Sequence, residues 1–272
     1  MPIFEHVRDL SWSAEGEGGS SSALVGCQSV SIDGEADEIV HSACDEDAVG
    51  YRGITGRKMS GTVELAGVSL ARELGAIDLG GVFGHAVSAE LTETGDPDIH
   101  NADGELWATL IRIRNRSVEA QVQFRDISVA LAKAVGEIVT VALTYRLGST
   151  TAGAWPTGGV TVSVPKMVVV SQNITATHNE YADGSYALKA TGLIKDVAGG
   201  PALSGIHVGN VGTFSWIVPS ADGSDPMTFE CSNCVITEKR IAFEHGAMLR
   251  ESFSFLAYST DGDASPFTGS GG

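Results

Sequence analysis

Cysteine and proline are scarce, at four and eight in 272 residues. Four thiols in a chain of this length do not make a disulfide scaffold. Basic residues are scarce too: 17 lysines and arginines face 34 acids, for a net charge of −17. A surface this acidic repels a polyanion, which excludes gripping nucleic acid by phosphate neutralisation. Solubility alone is the plainer account of the charge. Long apolar runs are missing, and stretches such as Met167-Val168-Val169-Val170 are far too short to span a bilayer. The opening Met-Pro-Ile-Phe-Glu-His has neither the basic nor the apolar region of a secretory signal, so assembly in a cytoplasm is expected, with no membrane partner. Catalytic signatures are lacking as well: no G-x-S-x-G elbow, P-loop or G-x-G-x-x-G occurs. His6, His41, His85, His100, His178, His207 and His245 are scattered, with no metal spacing. No enzymatic activity, catalytic residue, cofactor or metal is therefore expected.

Glycine is plentiful, at 34 residues, and Val, Ile and Thr cluster between turn signals such as Asp183-Gly184 and Asp222-Gly223. That combination predicts a mainly β protein. Strands are expected near 27–33, 58–66, 86–92, 106–114, 117–125 and 137–146, with Arg114-Asn115-Arg116-Ser117 as a turn between two of them. The second half predicts strands near 160–164, 166–170, 172–178, 185–191, 212–218, 227–237, 239–243 and 248–258. Residues 11–23 read as an exposed arm or loop, and 33–50 as a long mobile acidic loop. Leu70, Leu74 and Ile77 share one helical face, which predicts a short helix from Val68 to Ile77 closed by Gly80-Gly81. Gly269-Ser270-Gly271-Gly272 reads as a disordered tail.

Few constellations carry chemistry. Cys231-Ser232-Asn233-Cys234 has the spacing of a zinc knuckle or redox pair. Zinc needs a second pair that Cys27 and Cys44 do not form, and a redox motif needs a helix after it, so buried thiols are expected. Asp96 to Glu105 is rich in oxygen ligands, but His100 falls where a calcium loop needs an oxygen; a solvated hairpin loop is expected there. Arg112, Arg114 and Arg116 alternate, which puts all three on one face of a strand or its end. They are candidates for an inter-subunit contact with an acidic surface, against the alternative of a solvated face. Glu35, Asp37, Glu38, Asp45, Glu46 and Asp47 form the opposite cluster.

Strand pattern recurs faintly along the chain. Gln28-Ser29-Val30-Ser31 and Gln172-Asn173-Ile174-Thr175 each open a strand. Ser60-Gly61-Thr62-Val63-Glu64-Leu65 and Val211-Gly212-Thr213-Phe214-Ser215-Trp216 each carry a Gly-Thr pair. Each half closes on a long alternating strand after a glycine, from Gly136 to Tyr145 and from Gly246 to Tyr258. The recurrence divides the chain into a β domain at 1–147, a linker at 148–159 and a second β domain at 160–272.

This order, with Gly53-Ile54-Thr55-Gly56-Arg57-Lys58-Met59-Ser60-Gly61-Thr62-Val63-Glu64 after the acidic loop, resembles the tail tube (major tail) proteins of long-tailed phages and related injection machines. The resemblance implies two related β-sandwich or half-barrel domains with a short packed helix. They would close edge to edge into rings that stack into a tube, as a trimer of duplicated domains or a hexamer. It implies a structural virion protein of the tail, assembled in the host cytoplasm, whose partners are further copies and other tail proteins. DNA would pass through its acidic channel during ejection without specific binding. Glu35, Asp37, Glu38, Asp45, Glu46 and Asp47 would line the lumen or the loop between rings, with counterparts around Glu180 and Asp183. The alternatives are another phage structural β protein (head–tail joining or decoration), a β-sandwich carbohydrate-active enzyme, or a binding module. The enzyme would need aromatics beside paired carboxylates, and Trp12, Trp107, Trp155 and Trp216 are dispersed in sequence. The binding module predicts a stable monomer with an exposed apolar patch.

Overall fold

The computed structural model describes residues 7–15, 21–24, 26–41, 51–66, 73–79, 83–84, 86–102, 104–125, 131–146, 159–178, 182–190, 195–197, 204–219, 225–244, 247 and 249–270. Among them the regular elements are strands: β1 (Arg8–Ala14), β2 (Ser21–Ala23), β3 (Cys27–His41), β4 (Tyr51–Ala66), β5 (Glu73–Leu79), β6 (Phe83–Gly84), β7 (Ala86–His100), β8 (Leu110–Phe124), β9 (Ile138–Arg146), β10 (Gly159–Thr175), β11 (Asp183–Ala190), β12 (Lys195–Val197), β13 (Val211–Val218), β14 (Met227–Glu244), β15 (Arg250–Ala257) and β16 (Phe267–Ser270).

The strands join one antiparallel sheet. Eight of them make two sets of four, β3-β4-β15-β14 and β7-β8-β11-β10. Each set is two hairpins joined through their second strands. The sets meet where β14 pairs with β7, Lys239 opposite Glu93 and Ile241 opposite Leu91. β13, β1 and β2 extend the sheet from the front of β14, and β9 and β5 extend it from β10.

Alternation decides which side chains go inside. Leu91, Val118, Val122, Phe124, Val141, Val162, Tyr186 and Ile241 belong to one core. Leu10, Trp12, Val63, Phe214, Trp216, Cys231, Ile236, Phe253 and Phe255 belong to a second. In the second core Trp12 packs on Phe214 at 4.5 Å and Phe214 on Phe255 at 5.1 Å. The Gly-Thr pairs share a physical cause there. A Cβ on Gly61 would collide with the Phe255 ring and the Ser31 carbonyl, and one on Gly212 with the Trp12 ring and the Ser13 carbonyl. Both glycines let an aromatic ring come close to the strand.

The cores partition the chain differently from the expected halves. Strands between residues 73 and 197 build most of the first, joined by Ile241 and Leu249; strands from 8–66 and 204–270 build most of the second, joined by Trp107. The two groups are nested, and strands from 1–147 and 160–272 interleave throughout the sheet. Gly159 opens β10; residues 148–158 of the expected linker lie outside the described residues.

Other expectations are corrected. Leu74 and Ile77 sit in β5, where pairing with β9 overrides the helical period; Leu70 lies outside the described residues. Residues 11–14 and 21–23 are strand, with Trp12 buried. Residues 33–41 continue β3 as half of a long hairpin. Arg114 to Ser117 is no turn: β8 runs through it, with a bulge at Asn115 in the left-handed region (φ 49°). Gly269 and Ser270 are strand, Gly269 opposite Phe229.

Candidate functional site

Charge is buried where the two cores meet. On β14 Lys239 separates Ile236 of the second core from Ile241 of the first; on β15 Glu251 separates Phe253 from Leu249; on β7 Glu93 follows Leu91. All three face inward, and none is more than 2% exposed. Lys239 Nζ lies 3.0 Å from Glu251 Oε1 and 5.8 Å from the centre of the Phe253 ring. The geometry is that of an ion contact, since Nζ makes no aligned hydrogen bond among the described residues. Segment 204–210 closes the cluster from above. Ser204 donates its backbone N–H and hydroxyl to Glu251 at 3.1 and 3.0 Å, and His207 Nδ1 lies 3.4 Å from Glu93 Oε2. Glu93 Oε1 has no hydrogen-bond partner among the described residues. Two carboxylates, an ammonium and an imidazole thus stand at the seam, with the His207 side chain 25% exposed. The sequence signal was a charge on the inward parity of otherwise apolar strands, which the search for spaced motifs passed over.

The acidic cluster is split. Glu35, Asp37 and Glu38 are exposed on β3, in the hairpin it forms with β4; Asp45, Glu46 and Asp47 lie outside the described residues, as do Cys44 and Glu180. Asp37 pairs with Lys58 at 3.5 Å. Asp183 opens β11 and lies 4.0 Å from Arg125. The hairpin is tied to the β7–β8 connection: Arg57 donates its backbone N–H to the Leu106 carbonyl at 2.6 Å, and its guanidinium lies 5.9 Å from the Trp107 ring centre.

The three arginines do not share a face. Ile111 and Ile113 face inward before the bulge at Asn115, and Val118, Ala120 and Val122 after it, so the bulge shifts the parity by one residue. Arg112 and Arg114 stay outside, where Arg114 pairs with Asp98 at 2.5 Å. Arg116 turns to the other face and its guanidinium lies against Gly209. Asp96 and Asp98 themselves are on β7, spent on Asn115 and Arg114 rather than on a ligand loop.

Cys231 and Cys234 are both buried, because a bulge with Asn233 at φ 52° turns two residues of β14 aside between them. Burial, with the Cys231 thiol beside it, pushes the Cys234 thiol far up, the state of an inert core sulfur. Burial also raises Cys27. Among the described residues no group of three His, Cys, Asp or Glu side chains is placed to hold a metal.

The outer face of the eight-strand sheet is polar from β3 to β11; on β10, opposite Lys189, Val168 stands exposed. It carries Ser29, Ser31 and Thr62 beside Ser252 and Ser254, then Thr92, Gln121 and Gln123. Of its cations, Arg240 and Lys189 are held by Glu90 and Glu119, each pair at 2.6 Å, while Arg250 is exposed beside Arg240. The Glu90 carboxylate raises the Arg240 guanidinium above its ordinary value. Two adjoining depressions of about 390 and 690 Å³ lie on this face, sharing Arg240, Ala242 and Arg250.

The chain matches no protein-family model and no curated protein.

Proposed function

We propose that the chain is a structural, non-enzymatic subunit that assembles with further copies into rings and a tube, of the phage tail-tube kind, through which DNA passes without specific binding. The observation that carries this is the outer face of the sheet. Strands from both nested units supply a surface rich in serine, threonine and glutamine, on which two of the cations, Arg240 and Lys189, are each paired to a glutamate. Such a wall offers a sliding polyanion little to hold. The hairpin of β3 and β4 supports the same reading: beyond the segment paired to β15 it runs out as an arm, and among the described residues β3 has β4 as its one strand neighbour. Open edges of this length invite pairing between copies unless they are covered. On this reading the wall-facing acids are Glu64, Glu90, Glu119 and Glu238, and the arm acids Glu35, Asp37 and Glu38 belong to contacts between copies. The protein then functions in the virion tail, with other tail proteins as partners.

Negative-stain electron microscopy of the purified full chain across a concentration series tests this. Hollow tubes or stacked rings are expected, and their symmetry counts three or six copies per ring. Small monomers at every concentration, also after adding preassembled seeds from the same tail, would sink it.

A further inference from the structure

The buried charges at the seam are laid out for a covalent reaction. Lys239 Nζ, a nucleophile once it gives up a proton, lies 3.0 Å from Glu251 Oε1, and both side chains are essentially inaccessible to solvent. Ser204 holds that carboxyl group, its backbone N–H donating to Oε2 at 3.1 Å and its hydroxyl to Oε1 at 3.0 Å. Glu93 stands directly opposite Lys239 across the β7–β14 pair and is fully buried. Opposed side chains on one face of an antiparallel pair are within reach of each other, with Cβ atoms about 4.5–5.5 Å apart. A cluster built for stability alone gives each buried polar atom a hydrogen bond. Here two atoms on opposed residues are left without one among the described residues, Lys239 Nζ and Glu93 Oε1.

We propose that Lys239 and Glu251 are a modification site at which the folded chain joins the two side chains by an amide bond, with Glu93 as the proton carrier. One proton passes from the Nζ ammonium to Glu251 Oε1, leaving an amine and a carboxylic acid, the uncharged forms that an apolar interior tolerates best. The Nζ lone pair attacks Glu251 Cδ and a C–N bond forms. Negative charge gathers on Oε2, where the Ser204 N–H receives it. Glu93 takes a second proton from Nζ and hands it to Oε1. The C–Oε1 bond breaks, one water leaves, and the last proton stays on the amide nitrogen. The step is a condensation, so it needs no oxidant and no co-reactant. Fixing the two groups in contact supplies what dilute reactants lack. A neutral amide also replaces a buried ion pair and its desolvation cost. The water has a way out past His207, whose side chain is 25% exposed. The bond ties β14 to β15 where the two cores meet, and it is independent of whether the chain assembles. Seam variants lacking Lys239 or Glu251 compare with the open, ionic form of the chain.

Intact-mass spectrometry and a tryptic map of the purified full chain test this. The expected mass is that of the sequence less one water. Trypsin cuts after lysine and arginine, so the map is specific: 241–250 should be released, while 196–240 and 251–272 stay joined through Lys239 and Glu251. Lys239→Arg should give the full mass and separate peptides. Glu93→Gln keeps the shape but cannot carry the proton, and should also stay open; Glu93→Asp should recover part of the bond. A glutamate with a purely structural role would change the melting temperature of these variants and leave the peptide map as in the wild type. Wild-type protein that keeps its full mass through prolonged incubation in the folded state would overturn the proposal. So would a missing water that maps to an Asp-Gly pair, such as Asp183-Gly184 or Asp261-Gly262, where it marks a succinimide. A folded Glu93→Gln chain that closes as fast as the wild type would overturn the role of Glu93. Should Glu93→Gln fail to fold, the wild-type map decides by itself.

Discussion

Replacing Lys239 by methionine would leave Glu93 and Glu251 at the seam without their cation. Breaking one partner of a buried pair typically costs about 3–5 kcal/mol, because the remaining charge stays in the interior. Lys239→Met is expected to lose that much in urea unfolding, and Lys239→Met with Glu251→Leu to lose much less. Equal losses in both would mean that the pair is not what holds the seam. Asp261 makes a smaller, pH-dependent contribution. Its Oδ1 accepts from the Ser259 hydroxyl at 2.7 Å and from the backbone N–H groups of Ala264 and Asp263. These bonds hold its carboxyl below the ordinary 3.8. A depressed folded-state value means the contribution is present above 3.8 and is lost as pH falls through the lower value. The gap in melting temperature between wild type and Asp261→Asn is therefore expected to close as acid is added below that point. A gap that stays constant from neutral to acid pH would contradict the assignment. At this scale the sequence was partly legible. Cys231 and Cys234 read as buried thiols and are, but Arg116 was placed on the wrong face, because a bulge at one asparagine reverses every side chain after it.

Strands were the most legible elements, since alternation over 58–66, 137–146 and 212–218 is a local property. Their lengths were not. Expected breaks at Pro165-Lys166, Thr237-Glu238 and Asn115 are bulges inside continuous strands, at which register shifts without pairing being lost. The repeated Gly-Thr pairs are a case where the element explains the residue. Gly61→Ala and Gly212→Ala should each cost about 1–3 kcal/mol by overpacking an aromatic ring against the strand, measured by chemical denaturation. Neutral substitution at both would mean the rings can move aside and that close packing does not account for the motif. The helix expected at Val68–Ile77 shows the limit of periodicity: for Leu74 and Ile77 helical spacing does not outweigh a strand partner supplied by β9.

The whole-molecule arrangement was the least legible level. Alternation reports which face a residue takes, never which strand lies beside it, so it cannot reveal that residues 73–197 build most of one core while the segments on either side build most of the other. Internal repetition is present in the sheet, but at a different cut from the one expected. The hairpins β3–β4 and β14–β15 correspond to β10–β11 and β7–β8, each couple joined by its second strands. Trp12, Trp107 and Trp216, far apart in sequence, converge on the outer of the two nested cores. The nesting also has a consequence in time. β4 (Tyr51–Ala66) is held on one side by β15 (Arg250–Ala257), which is made long after it. During synthesis the inner unit can close while the arm still lacks its support. The surface that would reach another copy is thus completed only when the C-terminal segment has left the ribosome. In the assembly proposed above, order of synthesis would keep unfinished chains from joining.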